Sequence, residues 1–513
     1  MRSAKVAWFC LITSAVAAGG ACTVGSTDDL AVEDDDSYYY PPGTGGTSGT
    51  GTGTGSATDG SGAGSAEEPI LPPDGQDAGP DAEFTCEGLD PDTPVVLYLS
   101  ADDSNSMGSP GWARERLQNG APAAAVRTYE FLNYYRIDYP APAPGQLSLI
   151  PQMDEGAEDG TFDLQIGVRS FDAVTPRRPM TITFVLDTSG SMGGPSLERE
   201  RAVVKAVAQS LAAGDVVNMV TWDTSNAVVM SGHEVSGPND ATLVAAANNL
   251  SANGGTNLHG GLVAGYDLAT QHYGTNRLNR IFLVSDGRAN VGITDEELIG
   301  QHADDADAEG IYMVGVGTGP PDGYNDTLMD VVTDAGRGAY VYVDSHAEAE
   351  HLFVDRFDEV MEVAARGVQV ELTMPWYFEM HKFYGEEYSE NPQEVTPQHL
   401  APSDAMIFSQ VLKACDPSVV DPEDTIDVKA TWQTPLTYQP METSVSFTVG
   451  DLLAGSKDQL VKGKAIVAYA EALKTGLNAD LHAAYDEVTA ANTGGTDPEL
   501  SEIAALLQMH PSF

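Results

Sequence analysis

Three oxygen-bearing side chains at alternate positions, Asp187, Ser189 and Ser191, follow a short apolar run in the segment MTITFVLDTSGSMGGPS. The run over 181–186 is rich in β-branched and aromatic residues, which predicts a buried strand, and a helix is expected to begin at about residue 195. In an open parallel α/β sheet, ligands bind beyond the carboxyl ends of the strands. The spacing therefore predicts that the three side chains meet at one point that suits a hard cation.

Two later segments supply further oxygen atoms. Thr256 lies in a Gly-Gly-Thr-Asn loop before an expected helix, and Asp286 follows an expected strand over 280–285 that should neighbour the first strand. Glycines permit the tight loop, and the strand end faces the same crevice. The sequence thus predicts that five side chains converge on one cation, those of Asp187, Ser189, Ser191, Thr256 and Asp286.

The elements that position these residues alternate between strands and helices from Pro179 onward. Strands are expected at 181–186, 215–222, 280–285, 311–317 and 339–343, with a short antiparallel edge strand at 227–230. Helices are expected at 196–212, 241–250, 258–272, 295–309, 326–334 and 347–363. This alternation predicts an α/β fold with a doubly wound, mostly parallel sheet and helices on both faces.

The flanking regions have a different pattern. Before the α/β region, a strand is expected at 94–100, a helix at 123–135 and a strand at 162–168. After residue 367, strands are expected at 368–374, 406–412, 425–432 and 443–449, followed by helices at 460–474, 481–490 and 499–509. The predicted organisation is a signal peptide (1–21), a tether (22–84), an N-terminal flanking region (85–175), the α/β domain (176–363), a β-rich region (364–455) and a C-terminal helical region (456–513).

The combination of D-x-S-x-S, a threonine after Gly-Gly and a later Asp-Gly resembles the metal-ion-dependent adhesion site (MIDAS) of von Willebrand factor type A (VWA) domains, from about Pro176 to Val363. The resemblance implies that the three hydroxyls bind Mg²⁺, or another divalent cation such as Mn²⁺ or Ca²⁺, directly. It also implies that the two aspartates act directly or through water. With only two carboxylates the ion stays electrophilic, so the expected partner is a protein that presents a carboxylate.

The segment VRTYEFLNYYRIDYP, over 126–140, resembles the region that precedes the domain in bacterial VWA lipoproteins of the YfbK type. The β-then-helix layout after the domain is also similar. The resemblance covers most of the chain from about Pro94 and implies that both flanks form one companion domain into which the VWA domain is inserted.

The N-terminus has the layout of an export signal, with Arg2 and Lys5 before an apolar run that is too short to span a bilayer. Gly-Gly-Ala-Cys, ending at Cys22, resembles the lipobox of bacterial lipoproteins, and ordinary cleavage after Ala21 is the alternative. The Gly, Ser and Thr-rich stretch that follows predicts a disordered tether. We therefore expect an envelope protein held to the membrane by a lipid on Cys22, or otherwise a secreted or periplasmic one.

Two cysteines, Cys86 and Cys415, remain once Cys10 leaves with the signal and Cys22 is lipidated. In an oxidising compartment they most economically form one disulfide, which would join the segment before the central domain to the segment after it. The absence of a C-x-x-C pair gives no support for a zinc site.

The formal net charge of −51, from 76 acidic and 25 basic residues in 513, argues against nucleic acid and against electrostatic docking on anionic lipid. Most of the acid excess is interpreted as keeping an exported protein soluble. A hydrophobic content of 42% provides for buried cores.

Three alternatives compete with the adhesion hypothesis. Asp102, Ser104 and Ser106 form a second D-x-S-x-S, interpreted as a decoy because the later ligands are missing. A metal-dependent phosphohydrolase would need an acid where Ser189 stands, and G-x-S-x-G, Walker A and H-E-x-x-H motifs are absent, so the chain is predicted not to be an enzyme. A surface protein whose metal only stabilises the fold is the third possibility.

Overall fold

The strand that carries Asp187 lies inside a six-stranded sheet of the computed structural model, which describes residues 84–102, 106–288 and 310–513. The predicted signal peptide, Cys22, nearly all of the tether, Ser104 and the predicted helix over 295–309 lie outside these ranges. Within them, no helix combines the length and the apolar character needed to cross a bilayer.

The strands are, in chain order, β1 (Val95–Ser100), β2 (Leu147–Glu155), β3 (Thr161–Ser170), β4 (Met180–Asp187), β5 (Val216–Trp222), β6 (Asn226–Glu234), β7 (Leu278–Ser285), β8 (Ile311–Gly317), β9 (Tyr340–Tyr342), β10 (Ala365–Met374), β11 (Phe378–Phe383), β12 (Glu387–Ser389), β13 (Gln398–Leu400), β14 (Ala405–Ala414), β15 (Thr425–Gln433) and β16 (Pro440–Thr448).

The α-helices of the described ranges are α1 (Gly108–Gln118), α2 (Thr128–Tyr134), α3 (Pro195–Ser210), α4 (Ala241–Asn248), α5 (Leu258–Gln271), α6 (Asp326–Ala335), α7 (His346–Glu350), α8 (Phe357–Met361), α9 (Val449–Ala454), α10 (Asp458–Thr475), α11 (Asn478–Ala491) and α12 (Pro498–Met509).

The central sheet has the order β6-β5-β4-β7-β8-β9, and its strands are parallel except for the antiparallel edge strand β6. All eight residues of β4 are buried because helices cover both faces of the sheet. Phe184 and Phe282 pack with their ring centroids 5.4 Å apart on one face, whereas Val185 packs with the residues of α5 on the other. The predicted α/β fold class is confirmed.

The flanks form two antiparallel sheets that pack face to face. One sheet has the order β12-β1-β10-β15-β16 with β13 beside β10, and the other has the order β11-β14-β3-β2. Strands from before and after the central domain pair directly, because β1 lies against β10 and β3 lies against β14. Cys86 and Cys415 are joined by a disulfide with a Cα–Cα distance of 5.0 Å, so a covalent link also joins the two flanks.

Two predicted helices are wrong in extent. The helix expected at 123–135 is only α2, because Arg127 is extended and directs its buried guanidinium to Glu130 and Asp326. The helix expected at 347–363 is divided by a π-helical turn over 351–355, after which the buried Arg356 bonds to the backbone oxygens of residues 133 and 134. In both places an ion-paired arginine overrides the helical pattern.

Candidate metal centre

Asp187 ends the buried strand β4, and the folded chain holds both of its carboxylate oxygens. Oδ1 accepts a hydrogen bond from the backbone N–H of Ser189 over 2.9 Å, and Oδ2 accepts one from the hydroxyl of Ser285 over 2.8 Å. The hydroxyls of Ser189 and Ser191 lie 3.1 Å apart. The first three predicted ligands therefore form one cluster, fixed in orientation by the neighbouring strand β7.

Backbone hydrogen bonds bring the second segment to this cluster. The N–H of Gly190 donates to the carbonyl of Gly254 over 3.2 Å, and the N–H of Asn253 donates to the carbonyl of Thr188 over 2.7 Å. Thr256, two residues after Gly254, lines the same groove as Ser191. Ser191 and Thr256 are half-buried, so they lie on the open side of the cluster.

Asp286 follows β7 and is fully buried. Its Oδ1 accepts a hydrogen bond from the backbone N–H of Arg288 over 3.1 Å, whereas its Oδ2 bonds to no group of the described residues. Buried polar atoms almost always have a partner, so an unsatisfied carboxylate oxygen at the end of the strand next to Asp187 fits a cation. Burial, together with the charge of Asp286, raises the pKa of Asp187 to about 6, although the hydrogen bonds from Ser189 and Ser285 act in the opposite direction.

An open groove of about 540 Å³ lies over the cluster. Its lining consists of Gly190, Ser191, Gly254, Gly255, Thr256, Gly287, Arg288, Gly323 and Asn325. The five glycines leave room for a partner to approach closely, and Arg288 is the only charged side chain among the described lining residues. Within the described ranges, no group of three His, Cys, Asp or Glu residues is placed to hold a metal. A cation at this groove would therefore depend on the hydroxyl ligands.

In the second D-x-S-x-S, the structure describes Asp102 and Ser106, and other protein groups form hydrogen bonds with both side chains. Oδ2 of Asp102 accepts hydrogen bonds from the N–H of Ser106 and the side chain of Asn133, over 2.5 and 2.7 Å. The hydroxyl of Ser106 bonds to the carboxylate of Glu130, which Arg127 binds over 2.7 Å. A built-in guanidinium supplies the positive charge in this cluster, which agrees with the interpretation of this motif as a decoy.

Sequence reasoning missed two residues at the centre. The sequence pattern predicts Ser285 only as the last residue of a strand, although its hydroxyl orients Asp187. Glu200 lies on the apolar side of α3, three residues after Leu197 and three before Val203, and it is fully buried. A glutamate at an apolar position of an amphipathic helix is a detectable signal.

Comparison with known proteins identifies the family of the central domain. Residues 181–355 match the family model of the von Willebrand factor type A domain. The uncharacterized protein YfbK of Escherichia coli K12 is 28% identical over 272 residues, which cover 50% of this chain and 47% of that protein. The uncharacterized protein sll0103 of Synechocystis is 27% identical over 224 residues, covering 43% and 51%. The matched region spans about half the length of both relatives.

Among solved structures, a von Willebrand factor type A protein from Catenulispora acidiphila superposes with a TM-score of 0.44 at 14% identity. The superposition covers 69% of this chain and 88% of that one.

Proposed function

Because this chain is a VWA-domain protein similar to YfbK, we propose that it is a binding protein that captures a carboxylate-bearing protein partner through a divalent cation, Mg²⁺ in the first instance. Asp187, Ser189, Ser191, Thr256 and Asp286 would hold the ion at the carboxyl edge of the sheet. VWA domains often bind a divalent metal there. The bound ion would supply an electrophilic position for an acidic side chain.

The observation that supports this proposal most strongly is the unsatisfied, buried Oδ2 of Asp286, whose strand β7 lies beside the strand that ends in Asp187. The carboxylates of Asp187 and Asp286 would not fully neutralise a divalent ion, because both also accept hydrogen bonds from protein groups. The hydroxyls of Ser191 and Thr256 lie at the groove, where a partner has access. Arg288 at the rim favours a partner of negative charge.

We propose binding rather than catalysis. The hydroxyl of Ser189 lies 3.1 Å from the hydroxyl of Ser191 and also bonds to the carboxylate of Asp187, one of the proposed metal ligands. No histidine of the described residues is hydrogen-bonded to it. A serine nucleophile needs an adjacent general base. The arrangement suits ligation by neutral oxygens better than nucleophilic attack.

We further propose export and a lipid anchor on Cys22, with the globular part held away from the membrane by the tether. The partner is a protein, and nucleic acid is not expected because of the net charge of −51. The Cys22→Ser variant should leave the membrane fraction and appear in the soluble fraction. Retention of that variant in the membrane fraction would refute the lipid anchor.

The central test is calorimetric titration of Mg²⁺ into the metal-stripped full chain. We expect binding by the unaltered protein and none by Asp187→Ala, with an unchanged circular dichroism spectrum. Asp322→Asn is the matched control, because this exposed aspartate lies near the groove without facing the cluster. Absence of Mg²⁺, Mn²⁺ and Ca²⁺ binding by the unaltered protein would overturn the proposal.

A carboxylate probe tests the second half of the proposal. Tripeptides that carry a central aspartate or asparagine differ in one carboxylate only. We expect the aspartate peptide to bind in Mg²⁺ and not in EDTA, and the asparagine peptide to bind in neither. Equal binding of the two peptides would leave a metal that serves the fold alone, which is the structural alternative.

A further inference from the structure

Glu200 is a glutamate inside the protein that the five-residue site does not use. The residue exposes 0% of its surface, and neither Oε1 nor Oε2 has a hydrogen-bond partner among the described residues. It lies on the stripe of α3 that also carries Leu197, Val203 and Val204. An ionised carboxyl group without a donor or a cation is strongly disfavoured in the interior of a protein, so its retention calls for a compensating group.

The position of α3 brings Glu200 close to the metal centre. The helix begins directly after the loop of Ser189 and Ser191 and packs against β7, whose end carries Asp286. Burial and the charges of Asp187 and Asp286 raise the pKa of Glu200. The charge of Arg201 and the nearby backbone of Asp187 lower it by less, so the side chain of Glu200 lies close to the end of β4.

The neighbouring arginine does not neutralise this glutamate. The guanidinium of Arg201 binds the carboxylate of Glu198 over 2.5 Å and the carbonyl of Leu250, and it makes no ion pair with Glu200. The charge of Arg201 acts on Glu200 at a distance, without direct contact. A cation between Asp187 and Asp286 would add a second compensating charge, because the charges of both aspartates also act on Glu200.

We propose that Glu200 is a further residue of the metal centre, which acts from its buried side through a water molecule bound to the ion. The inference rests on the proposed function, since it assigns a residue to the same site. Direct ligation beside both aspartates is not supported, because no three acidic residues of the described ranges lie close enough together to hold a metal. Glu200 is thus a positioning residue that adds negative charge beneath the ion.

This arrangement divides the centre into two sides. Asp187, Asp286 and Glu200 are buried and would retain the ion, whereas Ser191 and Thr256 are half-buried beside the groove. A charge placed on the buried side strengthens retention of the cation without blocking the position that a partner carboxylate would take. Metal affinity and partner access are then set by different residues.

The test compares two charge removals on one helix of the full chain. Glu200→Gln keeps the shape of the side chain, and Glu198→Gln removes an equal charge at a side chain that is 59% exposed. Groups that orient a metal site from outside the ligand shell typically change affinity by 10–100-fold, so we expect Glu200→Gln to weaken Mg²⁺ binding by about tenfold. Glu198→Gln should change it by less than about twofold, because exposed charges are screened.

A second readout separates this role from a packing role. Neither oxygen of Glu200 makes a full hydrogen bond, and the amide oxygen of Gln can take the same place near the backbone of Asp187. The metal-free Glu200→Gln variant should therefore melt at about the temperature of the unaltered protein. Its rise in melting temperature with saturating Mg²⁺ should be smaller, because ligand stabilisation follows affinity. Glu200→Asp, which keeps the charge, should retain more of the affinity than Glu200→Gln.

The outcomes distinguish the inference from the function beneath it. Normal Mg²⁺ affinity in Glu200→Gln, or equal losses in Glu200→Gln and Glu198→Gln, would overturn the role of Glu200 and leave the proposed function standing. A lower melting temperature without metal, together with unchanged affinity, would assign Glu200 to packing. Failure of the unaltered chain to bind any divalent cation would overturn both.

Discussion

The hydroxyl of Ser285 donates a hydrogen bond to Oδ2 of Asp187 over 2.8 Å, between the ends of two adjacent parallel strands. The contact fixes the aspartate before any ligand binds. We expect Ser285→Ala to weaken Mg²⁺ binding by about tenfold, because an unsupported ligand must be ordered on binding. Calorimetry measures the change, and Ser210→Ala, which removes a hydroxyl bonded to the carbonyl of Phe353, is the control. Equal affinities in all three proteins would contradict the prediction.

Gly287 follows Asp286 with a φ of +70°, and a Cβ atom there would lie 2.9 Å from the backbone nitrogen of Asn325. Gly287→Ala should therefore displace the Asp286 loop, lower the free energy of unfolding and weaken Mg²⁺ binding. Gly194→Ala is the matched control, because its φ is +92° but no atom lies within 4 Å of its Cβ position. That control should cost only the strain of the left-handed conformation, about 1–2 kcal/mol. Urea unfolding that gives the same loss for both variants would show that the Asn325 contact is unimportant.

Arg127 connects the N-terminal flank to the rim of the groove. Its guanidinium binds Glu130 over 2.7 Å and Asp326 over 2.6 Å, and Asp326 follows the groove residue Asn325. Arg127→Gln leaves buried carboxylates without a cation, so we expect a loss of about 3–5 kcal/mol in the free energy of unfolding. Lys429→Gln, which breaks an exposed pair 3.5 Å long, should cost less than about 1 kcal/mol. A loss as small as that of the control would refute a structural role for Arg127.

The pKa of Glu471 on α10 predicts that the folded protein loses stability in acid. Burial alone would raise its pKa, but the charge of Lys474 and the hydrogen bonds from Lys382 and Thr128 outweigh burial and lower it from 4.5 to about 2. The folded state therefore favours the carboxylate, so the stabilisation is complete above about pH 4.5 and is lost as the pH falls towards 2. The amount is on the order of 2 kcal/mol.

Urea unfolding between pH 6 and pH 2.5 measures this effect. Glu471→Gln should be less stable than the unaltered protein at pH 6, and the difference should shrink as the pH falls. Glu442→Gln, at a side chain that is 73% exposed, should follow the unaltered protein throughout. A difference for Glu471→Gln that is independent of pH would contradict the assignment.

The disulfide between Cys86 and Cys415 spans 329 residues of sequence. We expect Cys415→Ser to lower the free energy of unfolding by about 2–5 kcal/mol, the usual cost of removing a native disulfide. Reduction of the unaltered protein should reproduce the loss and should have no effect on the variant. Mg²⁺ affinity should stay the same in both, because the bond joins the flanks rather than the metal centre. Equal stability of the oxidised and reduced proteins would refute this contribution.

The sequence sufficed for features that depend on local pattern. The apolar run before Asp187 predicts β4 to within a residue at each end, because a strand buried on both faces needs apolar residues throughout. The loop hydroxyls and Asp286 follow from the rule that parallel strand ends meet at one edge. The MIDAS geometry itself stays a prediction until a cation is bound.

Features that depend on tertiary contacts could not be predicted in this way. The helix α1 begins with glycine and proline residues, which disfavour a helix assignment, and β2 contains Pro151, which the edge position of β2 tolerates. Arg127 and Arg356 interrupt helical patterns because each guanidinium also bonds to a partner far away in sequence, the carboxylate of Asp326 for Arg127 and the backbone oxygen of Tyr134 for Arg356. A role for Glu200 cannot be predicted from the sequence, because a single acidic residue on the apolar side of a helix can be assigned to a site only when the neighbouring strand ends are known.

The interleaving of the two flanks has a consequence for synthesis on the ribosome. β1 pairs with β10 and β12, and β3 pairs with β14, all of which belong to the C-terminal flank. These three strands follow about two hundred residues after the end of β3. At about 5–20 residues per second, β1 waits on the order of ten to fifty seconds for its neighbours to emerge. The inserted VWA domain is complete in sequence before those neighbours are made. The nascent chain therefore carries unpaired strand edges beside a domain that already has all of its own strands, and this interval is when a chaperone would have the most exposed surface to bind.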